Sequence, residues 1–211
     1  MSKVLIVANG EWPELFQFED RIKGYETIVA LDGAANRLFG FNIIPHVILG
    51  DLDSISPTVL EQCKAEHSKI VNAPDQERSD ISKGLQWVHQ TYPESEVYLV
   101  GVEIGRYDHH LAAYSALFEC KSPATILLNG WEAHRVSTTP SSFKSNPGEI
   151  VSLIPFGTVT GVNIQGCQYP LESDSLTTGT RGISNIAIES TITVSIRTGD
   201  LLLLIERRGW Q

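Results

Sequence analysis

The residues best suited to chemistry in this sequence are two aspartates in the segment Gly50-Asp51-Leu52-Asp53-Ser54, which directly follows an apolar run. Mg²⁺ prefers oxygen ligands, and proteins commonly hold it with one or two carboxylates plus the phosphates of a substrate. A single Asp-X-Asp is a weak signal, because aspartate is common in turns and at helix N-termini. The pair therefore predicts a metal site only if other polar residues converge on it.

Polar residues follow the other apolar runs of the first half as well. Asp32 follows the second run, Asp75 and Asp80 follow the fourth, and Arg106 and Asp108 follow the fifth. Each has an ordinary structural interpretation: aspartates occur in turns and in the first turn of helices, where a negative charge favours the helix dipole. Arg106 and Asp108 could be a surface pair. The joint occurrence at successive runs is what favours a functional interpretation.

The elements that must position these residues alternate in type up to about residue 122. Short apolar runs predict strands, and the amphipathic segments between them predict helices; Ser56 before Pro57 is a typical helix start. The predicted strands are Val4–Ala8, Thr27–Leu31, His46–Leu49, Lys69–Val71, Glu96–Val100 and Thr125–Leu128. The predicted helices are Glu14–Arg21, Ala34–Phe39, Pro57–Glu66, Ser79–Thr91 and Asp108–Cys120.

This alternation predicts an α/β domain with a mostly parallel sheet covered by helices on both faces. The carboxyl ends of parallel strands share one edge of the sheet, where ligands bind. The carboxylates therefore converge there, and without a cation they would repel one another and raise each other's pKa. We expect a divalent cation, which either both Asp51 and Asp53 bind directly or one binds directly and the other through a water molecule.

The pattern changes after about residue 130. Glu149–Pro155, Val159–Ile164, Ile192–Ile196 and Asp200–Glu206 predict strands separated by turn residues, with no convincing helix. The chain is thus predicted to contain an α/β domain over residues 1–125 and an all-β sandwich or barrel over residues 126–211.

Composition excludes several classes of protein. The net charge of −9 argues against a nucleic-acid surface, which needs clustered Lys and Arg. The cysteines, Cys63, Cys120 and Cys167, are too few and too scattered for a disulfide framework or a zinc site. The apolar run Leu201–Ile205 is far shorter than a bilayer span of roughly 20 residues, and no secretory signal is evident. We expect a cytoplasmic protein with no nucleic-acid or membrane partner.

In order and spacing, the polar segments resemble the motifs of the thiamine pyrophosphokinase family. The resemblance runs through nearly the whole chain, and its strength lies in the combination of motifs. The first-half segments are Leu31-Asp32-Gly33-Ala34-Ala35-Asn36-Arg37-Leu38, Gly50-Asp51-Leu52-Asp53-Ser54-Ile55, Pro74-Asp75-Gln76 with Ser79-Asp80 and Lys83, and Gly105-Arg106-Tyr107-Asp108-His109. The second-half segments are Gly166-Cys167-Gln168-Tyr169-Pro170-Leu171 and Gly182-Ile183-Ser184-Asn185.

The chain departs from the family pattern at four positions. Ala34 replaces a glycine, Ser79 replaces a threonine but keeps the hydroxyl, and Ile186 replaces an acidic residue common in bacterial members. Ile104 stands where a glycine is usual, which bears on how closely the backbone approaches the phosphates. None of the four removes a predicted metal ligand.

The resemblance implies an enzyme that transfers the pyrophosphoryl group of ATP to thiamine, giving thiamine diphosphate and AMP. It implies a three-layer α/β/α catalytic domain followed by a jelly-roll-like β-sandwich. It also implies a homodimer, with thiamine between the catalytic domain of one subunit and the sandwich of the other.

Roles follow from the same resemblance. Asp51, Asp53 and Asp80 are expected to hold Mg²⁺ on the polyphosphate of ATP, while Asp32 and Asp75 remain alternatives for orienting or deprotonating the thiamine hydroxyl. The residues expected around ATP are Gln76, Lys83, Arg106, Asp108 and His109. The residues expected around thiamine are Tyr169, whose ring would face the cationic thiazolium, together with Ser184 and Asn185.

Three other functions compete with this interpretation. A different Asp-X-Asp enzyme that uses a metal, such as a sugar-nucleotide transferase, would employ the same carboxylates but leaves the motifs at Arg106 and Ser184 unexplained. A phosphatase with an aspartyl nucleophile fits less well, because its Asp-X-Asp normally follows the first strand. A non-catalytic thiamine-binding homologue would have no need of the metal group.

Overall fold

The computed structural model describes residues 2–13, 19–103 and 106–208, without the side chains of residues 19 and 20. The chain divides into two compact units, Met1–Asn129 and Gly130–Gln211. The predicted division at residues 125 and 126 lies four residues earlier. None of the helices in the described part of the chain is long and apolar enough to cross a membrane.

The first unit alternates strands and helices as predicted. Its strands are β1 Lys3–Val7, β2 Thr27–Leu31, β3 Val47–Gly50, β4 Lys69–Asn72, β5 Glu96–Val100 and β6 Thr125–Leu128. Its described helices are α1 Glu19–Lys23, α2 Ala34–Gly40, α3 Pro57–Ala65, α4 Asp80–Thr91 and α5 Tyr107–Glu119. Four predicted helices are confirmed to within one or two residues; the fifth, Glu14–Arg21, lies mostly outside the described residues.

The strands of the first unit are paired in parallel, in the order β4-β3-β2-β1-β5-β6. Every residue of β3, and all but the first residue of β1 and β2, is buried, which is typical of strands covered on both faces. The chain runs outward from β1 to β4 and then returns to place β5 on the other side of β1. This reversal creates the crevice at the carboxyl edge in which open α/β sheets bind ligands.

The second unit contains no helix among its described residues, 130–208. Its strands pair in antiparallel fashion, so the pairing of the whole chain is mixed rather than purely parallel. Those strands are β7 Trp131–Arg135, β8 Ser141–Lys144, β9 Ile150–Gln165, β10 Leu171–Thr177, β11 Asn185–Ile186, β12 Thr191–Ser195 and β13 Thr198–Glu206.

The prediction of two strands over Glu149–Pro155 and Val159–Ile164 was wrong, because β9 runs through both. Gly157 and Gly161 carry positive φ values of 83° and 63° within it, so the glycine that suggested a turn instead bends a continuous strand. Successive parts of β9 pair with β13, β10 and β12. A single buried cluster that includes Val151, Ile164 and Leu203 forms the core of this unit.

Candidate functional site

The side chain of Asp32 follows β2 and is almost fully buried, with 5% of the residue exposed. Its φ of 42° lies in the left-handed region, which aspartate tolerates better than most residues and which here lets the chain turn directly from β2 into α2. Both carboxylate oxygens face the backbone N–H of Ser54, at 3.4 and 3.2 Å. The residue after β2 therefore contacts the loop after β3.

The loop after β3 turns tightly between its two aspartates. Leu52 has a φ of 67°, and the backbone N–H of Asp53 lies 3.5 Å from Oδ1 of Asp51. The Ser54 hydroxyl donates to Oδ1 of Asp53 at 2.8 Å. The turn brings both carboxylates to the same side as Asp32.

Asp32, Asp51 and Asp53 each offer a carboxylate oxygen, and the three oxygens lie within 4.8 Å of one another. Burial raises the pKa of Asp32; the hydrogen bonds with Ser54 oppose this rise, and the charges of Asp53 and Asp51 add to it. A bound cation would offset the mutual repulsion of the three carboxylates. Oxygen-only ligands at this spacing suit a hard divalent ion.

The loop after β4 carries the next predicted residues. Gln76 donates from Nε2 to Oδ2 of Asp51 at 3.3 Å, so the structure brings it to the aspartate group. Asp75 is exposed, and its Oδ1 accepts the backbone N–H of Glu77 at 2.8 Å. This bond forms a local turn, which leaves Asp75 beside the group rather than within it.

Asp80 and Lys83 lie in the first turn of α4. Lys83 Nζ is 3.0 Å from Oδ1 of Asp80; the lysine side chain is 9% exposed and the aspartate side chain 40%. Asp80 is thus held by a lysine and stands outside the described group of three carboxylates. Ser79 caps α4 by accepting the N–H of Ser82 at 3.2 Å, so the serine that replaces the family threonine keeps a capping hydroxyl.

Arg106 and Asp108 form a two-pronged ion pair at the start of α5. Nε and Nη2 of Arg106 donate to the two carboxylate oxygens of Asp108, at 3.1 and 2.6 Å. The hydrogen bonds from Arg106 lower the pKa of Asp108 to about 2. Both side chains are largely exposed, as is His109. Ile104 and its departure from the family pattern lie outside the described residues.

In the second unit, the side chain of Asn185 forms two hydrogen bonds with the backbone of Tyr169. Its Oδ1 accepts the N–H of Tyr169 at 3.0 Å, and its Nδ2 donates to the carbonyl of Tyr169 at 2.7 Å. The Tyr169 residue itself is 63% exposed. Ser184 is also exposed; its N–H donates to Oγ of Ser152, and its φ is 59°. The structure thus brings Asn185 and Tyr169 together, and the Asn185 amide holds the backbone of the segment between β9 and β10.

Comparison with known proteins identifies the family. Residues 18–128 match the model described as thiamin pyrophosphokinase, catalytic domain, and residues 134–202 match the model of its vitamin B1 binding domain. The chain belongs to the thiamin pyrophosphokinase family. The predicted family and activity, transfer of the pyrophosphoryl group of ATP to thiamine, are therefore confirmed, and the family is one of enzymes.

Relatives and solved structures agree with this assignment. Thiamin pyrophosphokinase 1 of Caenorhabditis elegans is 28% identical over 86% of this chain and 79% of its own length. Thiamine pyrophosphokinase 2 of rice is 27% identical over 97% of this chain and 86% of its own. In fold, the thiamine pyrophosphokinase of Bacillus subtilis matches with a TM-score of 0.80 at 24% identity, covering 98% of this chain and 99% of that one. The Enterococcus faecalis family protein gives a TM-score of 0.82 at 22% identity, with 98% and 100% covered.

Two residues that shape the carboxyl edge of the sheet, Asn36 and Arg78, were not singled out from the sequence. Asn36 bonds to the backbone of the Asp51–Asp53 loop on both sides of Ile55. Arg78 donates to Oε1 of Gln86 at 2.7 Å and ties the β4–α4 loop to its helix. Asn36 belongs to the same family motif as Asp32, four residues earlier, and this was the feature of the sequence that could have indicated its role. Nothing in the local pattern marked Arg78.

Proposed function

We propose that this chain transfers the pyrophosphoryl group at the carboxyl edge of its first unit, with Mg²⁺ held there on the polyphosphate of ATP. The observation that carries the proposal is the approach of the Asp32, Asp51 and Asp53 oxygens to within 4.8 Å of one another. The thiamine hydroxyl attacks the β-phosphorus of ATP, and AMP leaves. Such transfers depend mainly on positioning and charge stabilisation, so no covalent enzyme intermediate is needed.

The donor set fits the ion. Asp51 and Asp53 are its proposed ligands, and the position of Asp32 favours adding it to them. Asp80 remains a proposed ligand as well. In this role its carboxylate contacts both the ion and the ammonium group of Lys83. When bound, Mg²⁺ supplies compensation for the negative charge of the phosphates. Gln76 orients Asp51 through its amide.

The nucleotide is proposed to bind with Arg106 against its phosphates. Asp108 holds the guanidinium in a fixed plane before ATP arrives, because both of its oxygens accept from Arg106. Arginine suits this role, since its planar fork donates two bonds to a phosphate. Lys83 is proposed to add positive charge around the nucleotide, and His109 is proposed to add a hydrogen bond.

Asp75 is proposed to orient the thiamine hydroxyl. Asp32 and Asp75 were equal candidates on sequence, but the carboxylate of Asp32 faces Ser54 and the other metal-site oxygens. Asp75 stands in an exposed turn, where its Oδ1 accepts the N–H of Glu77. An exposed carboxylate beside the edge is placed to accept a proton as the hydroxyl attacks.

Thiamine is proposed to meet the exposed ring of Tyr169, since a cationic ring favours an aromatic face. Asn185 holds the backbone that carries this ring, because it bonds to both the N–H and the carbonyl of Tyr169, and Ser184 is proposed to supply a polar contact.

The domain assignment is proposed in the same terms. Residues 1–125 form the ATP- and Mg²⁺-binding domain as three α/β/α layers, which the burial of β1 and β3 supports. Residues 126–211 form the thiamine-binding domain as a jelly-roll-like sandwich, supported by the several partners of β9. The family resemblance supports a cytoplasmic homodimer with thiamine between the subunits. Light scattering of the purified protein tests whether it is a dimer.

The test of the function is AMP release from ATP, with thiamine and Mg²⁺ each added or omitted. We expect AMP and thiamine diphosphate in equal amounts, only when both are present. Release of AMP without thiamine would contradict pyrophosphoryl transfer, and release without any divalent ion would contradict the metal site. Binding of thiamine with no AMP formation would indicate the non-catalytic homologue.

A further inference from the structure

The side chain of Asn36 bonds to the backbone of the loop that carries Asp51 and Asp53 at two points. Nδ2 of Asn36 donates to the carbonyl of Ser54 at 2.9 Å, and Oδ1 of Asn36 accepts the N–H of Ser56 at 2.9 Å. One amide group thus satisfies a backbone acceptor and a backbone donor two residues apart. Because both bonds are near the ideal length, the side chain is a clamp on the backbone between them.

The same stretch of loop is held at a third point. The N–H of Ser54 faces the carboxylate of Asp32, whose nearer oxygen lies 3.2 Å away. Asp32 precedes α2, and Asn36 lies in the first turn of that helix. Three polar groups of the loop backbone, all within residues 54–56, therefore bond to side chains from the β2–α2 junction.

Two glycines let the segments come this close. A Cβ on Gly33 would lie 3.2 Å from Cβ of Ser54, and a Cβ on Gly50 would lie 2.9 Å from Cβ of Asp32. Between the two residues held by Asn36, Ile55 is 6% exposed and anchors the loop in the core. Ser54 connects the clamped backbone to the proposed metal ligands, because its hydroxyl donates to Oδ1 of Asp53 at 2.8 Å.

We propose that Asn36 is a positioning residue for pyrophosphoryl transfer: it fixes the loop so that Asp51 and Asp53 present their carboxylates together to the metal. This inference rests on the proposed metal role of the two aspartates. In this proposal Asn36 acts through the loop backbone and not by contact with ATP or the ion. Loss of the Asn36 side chain lets the loop relax, so that the carboxylates of Asp51 and Asp53 move apart. Binding of Mg²⁺ must then bring the two carboxylates back together, which lowers the affinity for Mg²⁺.

The test compares Asn36→Ala with Ser56→Ala. Ser56→Ala removes the hydroxyl that accepts the N–H of Val59 and caps α3, but it keeps the backbone N–H that bonds to Asn36. The control therefore weakens the same loop–helix junction without opening the clamp. Three readouts are taken: the Mg²⁺ concentration for half-maximal AMP formation, the KM for thiamine, and hydrogen–deuterium exchange of residues 50–56 without metal.

For Asn36→Ala we expect a Mg²⁺ requirement higher by about tenfold, faster exchange at residues 50–56, and an unchanged KM for thiamine. Ser56→Ala should keep the wild-type Mg²⁺ requirement. If Asn36→Ala proves too unstable, Asn36→Asp replaces it, since aspartate keeps the acceptor for Ser56 but loses the donor to the Ser54 carbonyl. Faster exchange with an unchanged Mg²⁺ requirement would overturn the inference, as would equal shifts in both variants.

Failure of the metal site itself has a different signature. If Asp51→Asn keeps Mg²⁺-dependent activity, the proposed ligand is wrong. If Asp51→Asn is inactive while Asn36→Ala matches the wild type in Mg²⁺ requirement and exchange, the metal site stands and only the positioning role is overturned.

Discussion

The carboxylate of Asp32 accepts the backbone N–H of Ser54 at 3.2 Å, so the residue that ends one strand shapes the loop that follows its neighbour. Asp32 is buried, whereas Asp53 at the other side of Ser54 is exposed. One carboxylate thus supports the loop backbone from a buried position, whereas the other is exposed. The division of tasks among chemically identical side chains follows from their burial and their partners.

Replacing Asp51 with Asn should abolish most of the Mg²⁺-dependent AMP formation while the protein stays folded. The change keeps the shape of the side chain but removes a charge that the proposed ion needs, and we expect a loss on the order of 10²–10³ in kcat. The measurement is AMP release at saturating ATP and thiamine. Asp200→Asn, the same change at an exposed position of β13, is the control and should be active. Near-normal activity of Asp51→Asn would remove this residue from the site.

Mg²⁺ should raise the melting temperature of the wild type in the absence of ATP, because it binds the folded protein and relieves repulsion among Asp32, Asp51 and Asp53. In metal-free buffer, Asp51→Asn should melt at or above the wild-type temperature, since one of the repelling charges is gone. Adding Mg²⁺ should then shift the variant less than the wild type. Thermal unfolding followed by circular dichroism checks this. Equal Mg²⁺ shifts in the two proteins would contradict it.

Arg106→Gln should raise the KM for ATP without a change in melting temperature. The pair with Asp108 is exposed, and exposed ion pairs contribute little to stability. Steady-state kinetics over a range of ATP concentrations provide the test. Arg106→Lys keeps the charge but loses the two-pronged geometry, so it should fall between the wild type and Arg106→Gln. A lower melting temperature with an unchanged KM would assign the pair a purely structural role.

Tyr169→Ala should raise the KM for thiamine by about tenfold, as expected for the loss of an aromatic face against a cation. Tyr169→Phe keeps the face and should stay near the wild type. Asn185→Ala should act in the same direction as Tyr169→Ala, because it releases the backbone that carries the ring. The KM for ATP is the internal control in all three. A rise in that KM equal to the rise for thiamine would argue against a thiamine-specific role.

Glu132 should make the stability of the protein depend on acid. Burial opposes its charge, but hydrogen bonds from His134 and Arg207 prevail and lower the pKa of Glu132 from 4.5 to about 2. A lowered pKa contributes stability that is present above pH 4.5 and is lost as the pH falls toward 2. Glu132→Gln should therefore be less stable than the wild type at pH 7, by about 3 kcal/mol, because it leaves Arg207 with one partner fewer.

Urea unfolding at several pH values measures this difference. The gap between the wild type and Glu132→Gln should narrow steadily below pH 4.5. Glu172→Gln, at an exposed position of β10, serves as the control and should show no such gap. A gap that stays constant down to acid pH would show that the ion pair is not its source.

The elements of the second unit show where sequence patterns lose their force. The strands β7, β8, β10 and β11 were not predicted, and β10 has the sequence LESDSLT with one buried residue. A strand with mostly polar side chains is held by backbone pairing to β9, and backbone pairing leaves no trace in residue type. The buried runs of β12 and β13, by contrast, were predictable because apolar side chains fill the core.

The sequence by itself determined the order of strands and helices in the first unit. It also determined that Asp32, Asp51, Asp53 and Asp75 lie in the loops after strands and that Asp80 lies at the start of the helix after β4. Local periodicity carries this information, and parallel pairing then brings those ends to one edge.

Only the tertiary structure decided which of these carboxylates meet. Asp32 joins Asp51 and Asp53, whereas Asp80 pairs with Lys83. The outcome depends on left-handed backbone at Asp32 and Leu52 and on the amide of Asn36 across the loop. Backbone conformation in loops is set by contacts between segments distant in sequence. The residue types therefore indicate the kind of chemistry, whereas tertiary packing decides which of these side chains come together.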